Sequence, residues 1–208
     1  MTTQAETAAA VPAVRAEDSV EPGNVLGRMT ALTLFTPVRR QWRPILRAAF
    51  WLGKWAPLAA SHILKFDFIH YVRWTVVRDF PYDGPPQPGR EKLNYSYLLF
   101  ESNFDGPWQH YIDAFAYVIP ADIRFVWGRG VNFPGPPPAE PLKNWIAANS
   151  MEGGSYYFAY PDAGVKVVKA ALALRGPLEE LAARAAQLGP EEFKSVYERF
   201  LTGVQESL

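Results

Sequence analysis

From Phe66 to Arg78 the chain reads FDFIHYVRWTVVR, with apolar side chains at alternate positions. Phe66, Phe68, His70, Val72, Trp74 and Val76 fall on one side of an extended chain. Asp67, Ile69, Tyr71, Arg73, Thr75 and Val77 fall on the other. The pattern predicts a strand with its even face on the core and His70 in the middle of that face. The loop DFPYDGPPQPGR follows, too short for a crossover helix. The next apolar run, Tyr95 to Phe100, is therefore expected to pair antiparallel with the first. Glu101, Ser102 and Asn103 end that run. Asp105 stands before Gly106-Pro107, where its carboxylate is expected to cap a helix. Trp108, Tyr111, Ile112, Phe115 and Ile119 then recur at steps of three and four, one apolar helical face.

Asp122 to Trp127, DIRFVW, is expected to be a third strand, and Glu140 to Asn149 a short helix. Gly153-Gly154 breaks the pattern, and SYYFAY, from Ser155 to Tyr160, predicts a fourth strand. Pro161-Asp162 is expected to open a helix through Leu174, with Gly176-Pro177 as its boundary. Leu178 to Leu188 predicts another helix, and Gly189-Pro190 starts a last one through about Leu201. With the first strand moved to the end, the order becomes β-α-β-β-α-β. The expected class is α+β: a ferredoxin-like, circularly permuted antiparallel sheet with helices on one face, plus N-terminal and C-terminal helices. The other face carries Ile69, Tyr71 and Val77 and needs cover. A second copy of the sheet, making a dimeric α+β barrel, or the N-terminal helices would supply it.

Residues 1–23 are rich in Ala, Thr and Glu and are expected to form a disordered tail. They lack the basic start and apolar block of a secretory signal. Residues 24–66 read as a basic amphipathic helical segment, and 67–208 as the α+β domain. Pro22 to Phe66 contains no Asp or Glu. Thr36-Pro37 is the expected helix start, with kinks at Pro44 and Pro57. On a helical wheel of about 100° per residue, the cations from Arg39 to Lys65 cluster on one side. Trp42, Trp51 and Trp55 lie near its borders. The apolar runs fall well short of the roughly 20 residues that span a bilayer. Three readings stay open: the apolar face packs on the domain, lies on a membrane, or docks a partner. The membrane reading uses Arg39, Arg40, Trp42, Arg43, Arg47, Trp51, Lys54 and Trp55.

Charge narrows the partners. Lys and Arg total 21, as do Asp and Glu. With that balance and no RNP-like pattern, nucleic acid is not an expected partner. The absence of cysteine removes disulfides, thiolate metal sites and Cys nucleophiles. It fits a reducing cytoplasm. No nucleophile elbow, P-loop, dinucleotide fingerprint or metal-ligand spacing occurs, and no metal site is expected. The catalytic candidates are His70, Arg73, Glu101 and Asp105, since a histidine oriented by a carboxylate can move a proton. The alternative for His70 is a hydrogen-bonded core residue. His110 reads as a surface histidine and His62 as part of the basic segment.

Three stretches carry a resemblance: FIHYVRWTVV, YLLFESNFDGPWQHYIDAF, and NFPGPPP followed by SYYFAYPDAGVKVVKAALAL. They resemble a family of uncharacterised bacterial proteins, over roughly Pro37 to Leu174. More remotely, the LLFESNFDG-helix unit looks like parts of dimeric α+β barrel proteins. Their relatives include haem-dependent dye-decolorising peroxidases. The GXXDG motif of those peroxidases has no full counterpart, because Phe104-Asp105-Gly106 lacks the first glycine. No residue role is carried over from them.

The leading expectation is a binding or accessory protein on the cytoplasmic membrane surface. It would hold a lipid or other hydrophobic small molecule among Trp74, Tyr97, Trp108 and Tyr111. One alternative is a haem- or oxidant-dependent enzyme using His70. Another is a structural subunit docking through residues 37–66. A homodimer is compatible with each.

Overall fold

The computed structural model describes residues 23–55, 66–151 and 155–205. Residues 1–22 of the expected tail, Pro57, His62 and Gly153-Gly154 lie outside them. The first elements are strands β1 (Asn24–Leu26) and β2 (Met29–Val38). Gly27, at φ +61, makes the tight turn between them, and a Cβ there would meet the Pro161 carbonyl at 2.9 Å. Glycine is therefore required both for the turn and for the approach of a distant loop.

The expected helix start at Thr36-Pro37 is overturned, because both residues lie in β2. Leu32, Leu34, Thr36 and Val38 are buried at every second position, a strand period. Pro37 is tolerated because β1 pairs only with Met29 to Ala31, leaving β2 an edge farther along. The helical reading of residues 24–38 gives way with it. After a 3-10 turn (Arg40–Trp42), helix α1 spans Arg43–Trp55.

Strands β3 (Ile69–Asp79) and β4 (Lys92–Asp105) pair antiparallel, as the proline-rich loop implies. The order in the sheet is β1-β2-β4-β3, with every neighbouring pair antiparallel. Thus β2 and β3 flank β4 and run parallel to each other, joined through α1. That split β-α-β arrangement is the ferredoxin-like core, and β1 takes the outer seat beside β2.

Helices α2 (Trp108–Val118) and α4 (Ala139–Asn149) stand where periodicity puts them. Between them, DIRFVW is not a strand but part of α3 (Pro120–Trp127). Pro120 opens that helix and Asp122 sits in its first turn. Ile123 and Trp127, four apart, face inward. The segment SYYFAY forms no strand either. The second place beside β4, which the expected order gives this segment, is held by β2, and the chain just before it meets the free edge of β2 at an isolated bridge between Ser150 and Leu34. Its Tyr157 and Tyr160 are exposed.

Helix α5 (Val165–Ala185) runs through the expected boundary at Gly176-Pro177, and α6 (Pro190–Gly203) follows. Pro177 faces water, where solvent can satisfy the carbonyl it frees.

Leu98, Phe100 and Phe104 of β4 and Leu32 and Leu34 of β2 share one sheet face. Against them pack Tyr111, Ile112 and Phe115 of α2, with Trp127, Leu142 and Leu46. All four helices α1 to α4 therefore cover the same face. The opposite face has Phe35 stacked on Tyr97, with ring centroids 4.4 Å apart, and an exposed Tyr71. Helix α1 does not supply its cover.

Candidate functional site

The site lies where β3 begins and β4 ends. A register shift between Ile69 and Tyr71 takes His70 out of the β3 ladder. The bulge re-aims its side chain away from the alternation that the sequence implies. His70 Nε2 lies 2.9 Å from Asp105 Oδ1, and each side chain is 15% exposed. The Phe158 ring meets His70 edge-on at 5.3 Å between centroids.

Asp105 does not cap α2. The N-cap of α2 is Pro107, without a side-chain bond, and its first turn holds no acid. Instead Asp105 Oδ2 accepts the Val165 amide at 2.8 Å, the first residue of α5. A Cβ on Gly164 would stand 2.8 Å from that oxygen, so only glycine lets the carboxylate reach the helix. One carboxylate thus joins β4, the β3 bulge and the start of α5. Its backbone is held as firmly. The Asp105 amide donates to Phe68 O and the Gly106 amide to Arg28 O, each at 2.8 Å. Thr30 Oγ1 donates to Gly106 O at 2.7 Å.

Beside this junction lies an open cleft of about 540 Å³, lined by Gly27, Arg28, Thr30, Asp105, Trp108 and Gln109 among others. Arg28 is exposed there. The arrangement can orient an imidazole through its Nε2, while Asp105 itself reaches the wall of the cleft.

The other catalytic candidates are elsewhere. Arg73 and Glu101 face each other across β3 and β4 at 3.6 Å, with side chains 66% and 32% exposed. They form a solvated cross-strand pair away from the cleft. The four expected ligand-binding aromatics do not converge either. Trp74 packs in the core between Phe100 and Trp127, its indole N–H buried without an acceptor. Tyr97 is on the opposite sheet face. Tyr111 is 2% exposed and stacks on Phe104 at 3.9 Å. Its hydroxyl donates to Ser102 Oγ at 2.7 Å, which donates to Tyr71 O. Burial pushes the Tyr111 phenol above its ordinary pKa, and the Ser102 contact opposes this weakly. Only Trp108 lines the cleft. His110 is exposed on α2.

The interior is filled: Phe100, Tyr111, Trp127 and Trp145 leave about 10 Å³ between them. That void is far too small for a haem. Among the described residues no group of three or more His, Asp or Glu could hold a metal ion.

The membrane candidates divide. Arg40 donates to the Leu93 carbonyl, and Trp42 lies under the Arg129 guanidinium at 4.8 Å. Arg39 and Arg47 are exposed and Arg43 is half-buried. Trp51 is 60% exposed. The side chains of Lys54 and Trp55 lie outside the described residues. No helix among the described residues is long and apolar enough to cross a membrane.

Gly164, Val165 and Phe158 are the site residues that sequence reasoning missed. One local sign existed. The α5 start is capped by Gly164, which has no side-chain oxygen, so its amides need an acceptor from elsewhere.

No family model, curated protein or solved structure matches this chain.

Proposed function

We propose that this is a binding or accessory protein of the cytoplasmic membrane surface, with α1 lying in the headgroup region. The observation that carries the reading is the outward side of α1. Leu46 is buried and Phe50 packs on Trp74, yet Ile45, Trp51 and Leu52 point to water at 48%, 60% and 57% exposure. On the helical wheel these three, with Pro44 and Ala48, form one arc bordered by Arg43 and Arg47. An apolar arc edged by cations and free of acids suits an anionic leaflet. Each cation near such a surface contributes about 1 kcal/mol, and salt screens it. The filled core moves any lipid or hydrophobic ligand to the cleft beside Trp108 and Arg28.

Vesicle sedimentation tests this. The protein should pellet with anionic but not neutral vesicles, less so at high salt. Trp51→Ala with Leu52→Ala should weaken pelleting even at low salt, since both point outward. Protein left in the supernatant with anionic vesicles at low salt would refute the reading.

The His70–Asp105 pair supports a second reading, an enzyme in which the pair moves a proton through Asp105, its member at the cleft wall. Native mass spectrometry and an absorption spectrum of the purified protein separate the two. Bound lipid supports the first, and a bound chromophore the second.

A further inference from the structure

Arg28 stands on the wall of the cleft with its backbone fixed and its side chain unpaired. It follows Gly27 in the turn between β1 and β2. Its amide donates to Pro161 O at 3.2 Å, and its carbonyl accepts the Gly106 amide at 2.8 Å. Three segments far apart in sequence thus hold one turn residue in place. Among the described residues its guanidinium nevertheless has no hydrogen-bond or ion-pair partner. Asp105 lines the same cleft, and a carboxylate is the ordinary partner of an arginine. Both of its oxygens are engaged elsewhere, Oδ1 with His70 Nε2 at 2.9 Å and Oδ2 with the Val165 amide at 2.8 Å. The acid of the cleft serves the fold, and the cation is left over. Trp108, half-buried, and Val25, 68% exposed, add apolar surface to the same wall. At Gly106 the wall is open, since a Cβ there would meet nothing within 4 Å. The space, about 540 Å³, is of the size that small-molecule sites have.

We propose that the cleft takes a small amphiphilic acid, with its carboxylate on Arg28 and its apolar body against Trp108 and Val25. A guanidinium fork matches a carboxylate through two parallel hydrogen bonds. The clamped backbone of Arg28 lowers the ordering cost of forming them. A purely apolar molecule would leave the guanidinium unpaired, and a bare anion would leave the apolar wall to water. The site therefore favours a molecule that carries both parts. Asp105 repels a second negative group, which favours a monoacid over a diacid. The inference rests on the reading of the cleft as the place of a hydrophobic ligand. It does not rest on the membrane face of α1.

Amide NMR titrations of the full chain with octanoate, octanol and acetate test this. Octanoate should shift the amides of Gly27, Arg28, Gly106 and Trp108. It should bind about tenfold more tightly than octanol, which lacks the charge, or acetate, which lacks the apolar body. Arg28→Gln changes an exposed side chain and keeps the backbone bonds, so the fold should persist by circular dichroism. In that variant octanoate should bind about tenfold more weakly, with octanol unchanged. Trp51→Ala with Leu52→Ala, which removes the outward arc of α1, should bind octanoate as wild type does. Octanol binding as tightly as octanoate at these amides would overturn the acid preference and leave the cleft a hydrophobic site. So would an Arg28→Gln protein that binds octanoate like wild type. Acetate binding as tightly as octanoate would overturn the amphiphile. If neither octanoate nor octanol shifted these amides, the inference and the cleft reading beneath it would both fall.

Discussion

Helices α2 and α5 start from the same few atoms and end in opposite circumstances. Asp105 directly precedes the Gly106-Pro107 turn into α2, yet its carboxylate holds the first amide of α5. Along 11 residues α2 buries Tyr111, Ile112, Phe115 and Ala116. Along 21 residues α5 buries only Val165 and Leu181. Both carry apolar stripes at helical period, and only one stripe has a sheet beneath it. Periodicity announces a face, but the partner comes from tertiary structure, and so does the energy.

Truncation should expose that contrast most strongly. Phe115 is 4% exposed and contacts Phe66 and Tyr111. Phe115→Ala should cost about 3–5 kcal/mol through the cavity it leaves. Leu172→Ala, at a site 67% exposed, should stay within about 0.5 kcal/mol. Denaturant midpoints would check both, and equal losses would break the contrast.

Asp105→Ala tests which helix the carboxylate serves. It should cost about 1–3 kcal/mol, leaving the Val165 amide and His70 without their partner. Hydrogen exchange should accelerate in the first turn of α5 and stay unchanged in that of α2. Faster exchange in α2 instead would restore the local cap that the sequence implies.

The smallest effect concerns alkaline pH. Burial raises the folded-state pKa of Tyr111 above its ordinary value of 10.0. Below that pH both states keep the proton, so stability is unaffected. Above it the unfolded chain releases the proton and the native one retains it. Stability should then fall by about 1.4 kcal/mol per pH unit from this group. In Tyr111→Phe that part of the slope should vanish, at the expense of the Ser102 hydrogen bond. A slope identical in both proteins would mean that Tyr111 is not the titrating group. Tyr156, ahead of α5, is also raised by burial, so its own slope of the same sign should persist in Tyr111→Phe.

Much of this architecture was legible from alternation and helical spacing alone. The core face of β3 from Val72 to Val76, the antiparallel partner across the proline-rich loop, and helices α2, α4 and α6 all follow from local order, whereas the bulge puts Ile69, expected on the open face, against the core in place of His70. Each of those signals lives within about ten residues, where side-chain direction is dictated by backbone geometry. The α+β class and a permuted ferredoxin-like order followed from them, although the strands filling that order were partly misassigned. DIRFVW and SYYFAY are short apolar runs that suit either state, and for such runs length-scale periodicity is silent. Their fate was settled elsewhere: β2 took the second place beside β4, and α3 had Pro120 and Asp122 to begin a helix.

The site was half visible. His70 and Asp105 were nameable as residue types that can work together, but Arg73 and Glu101 looked equally suitable. What separated the pairs was a bulge at His70, which no local pattern specifies, because it records a one-residue mismatch between two strands far apart in sequence. The capping of α5 by Asp105 spans 60 positions. The sequence by itself determined where side chains could be buried and where a helix or strand could start. Which of them found partners was decided only when β4, the β3 bulge and Gly164 came within hydrogen-bonding reach, since a hydrogen bond depends on distance in space and not along the chain.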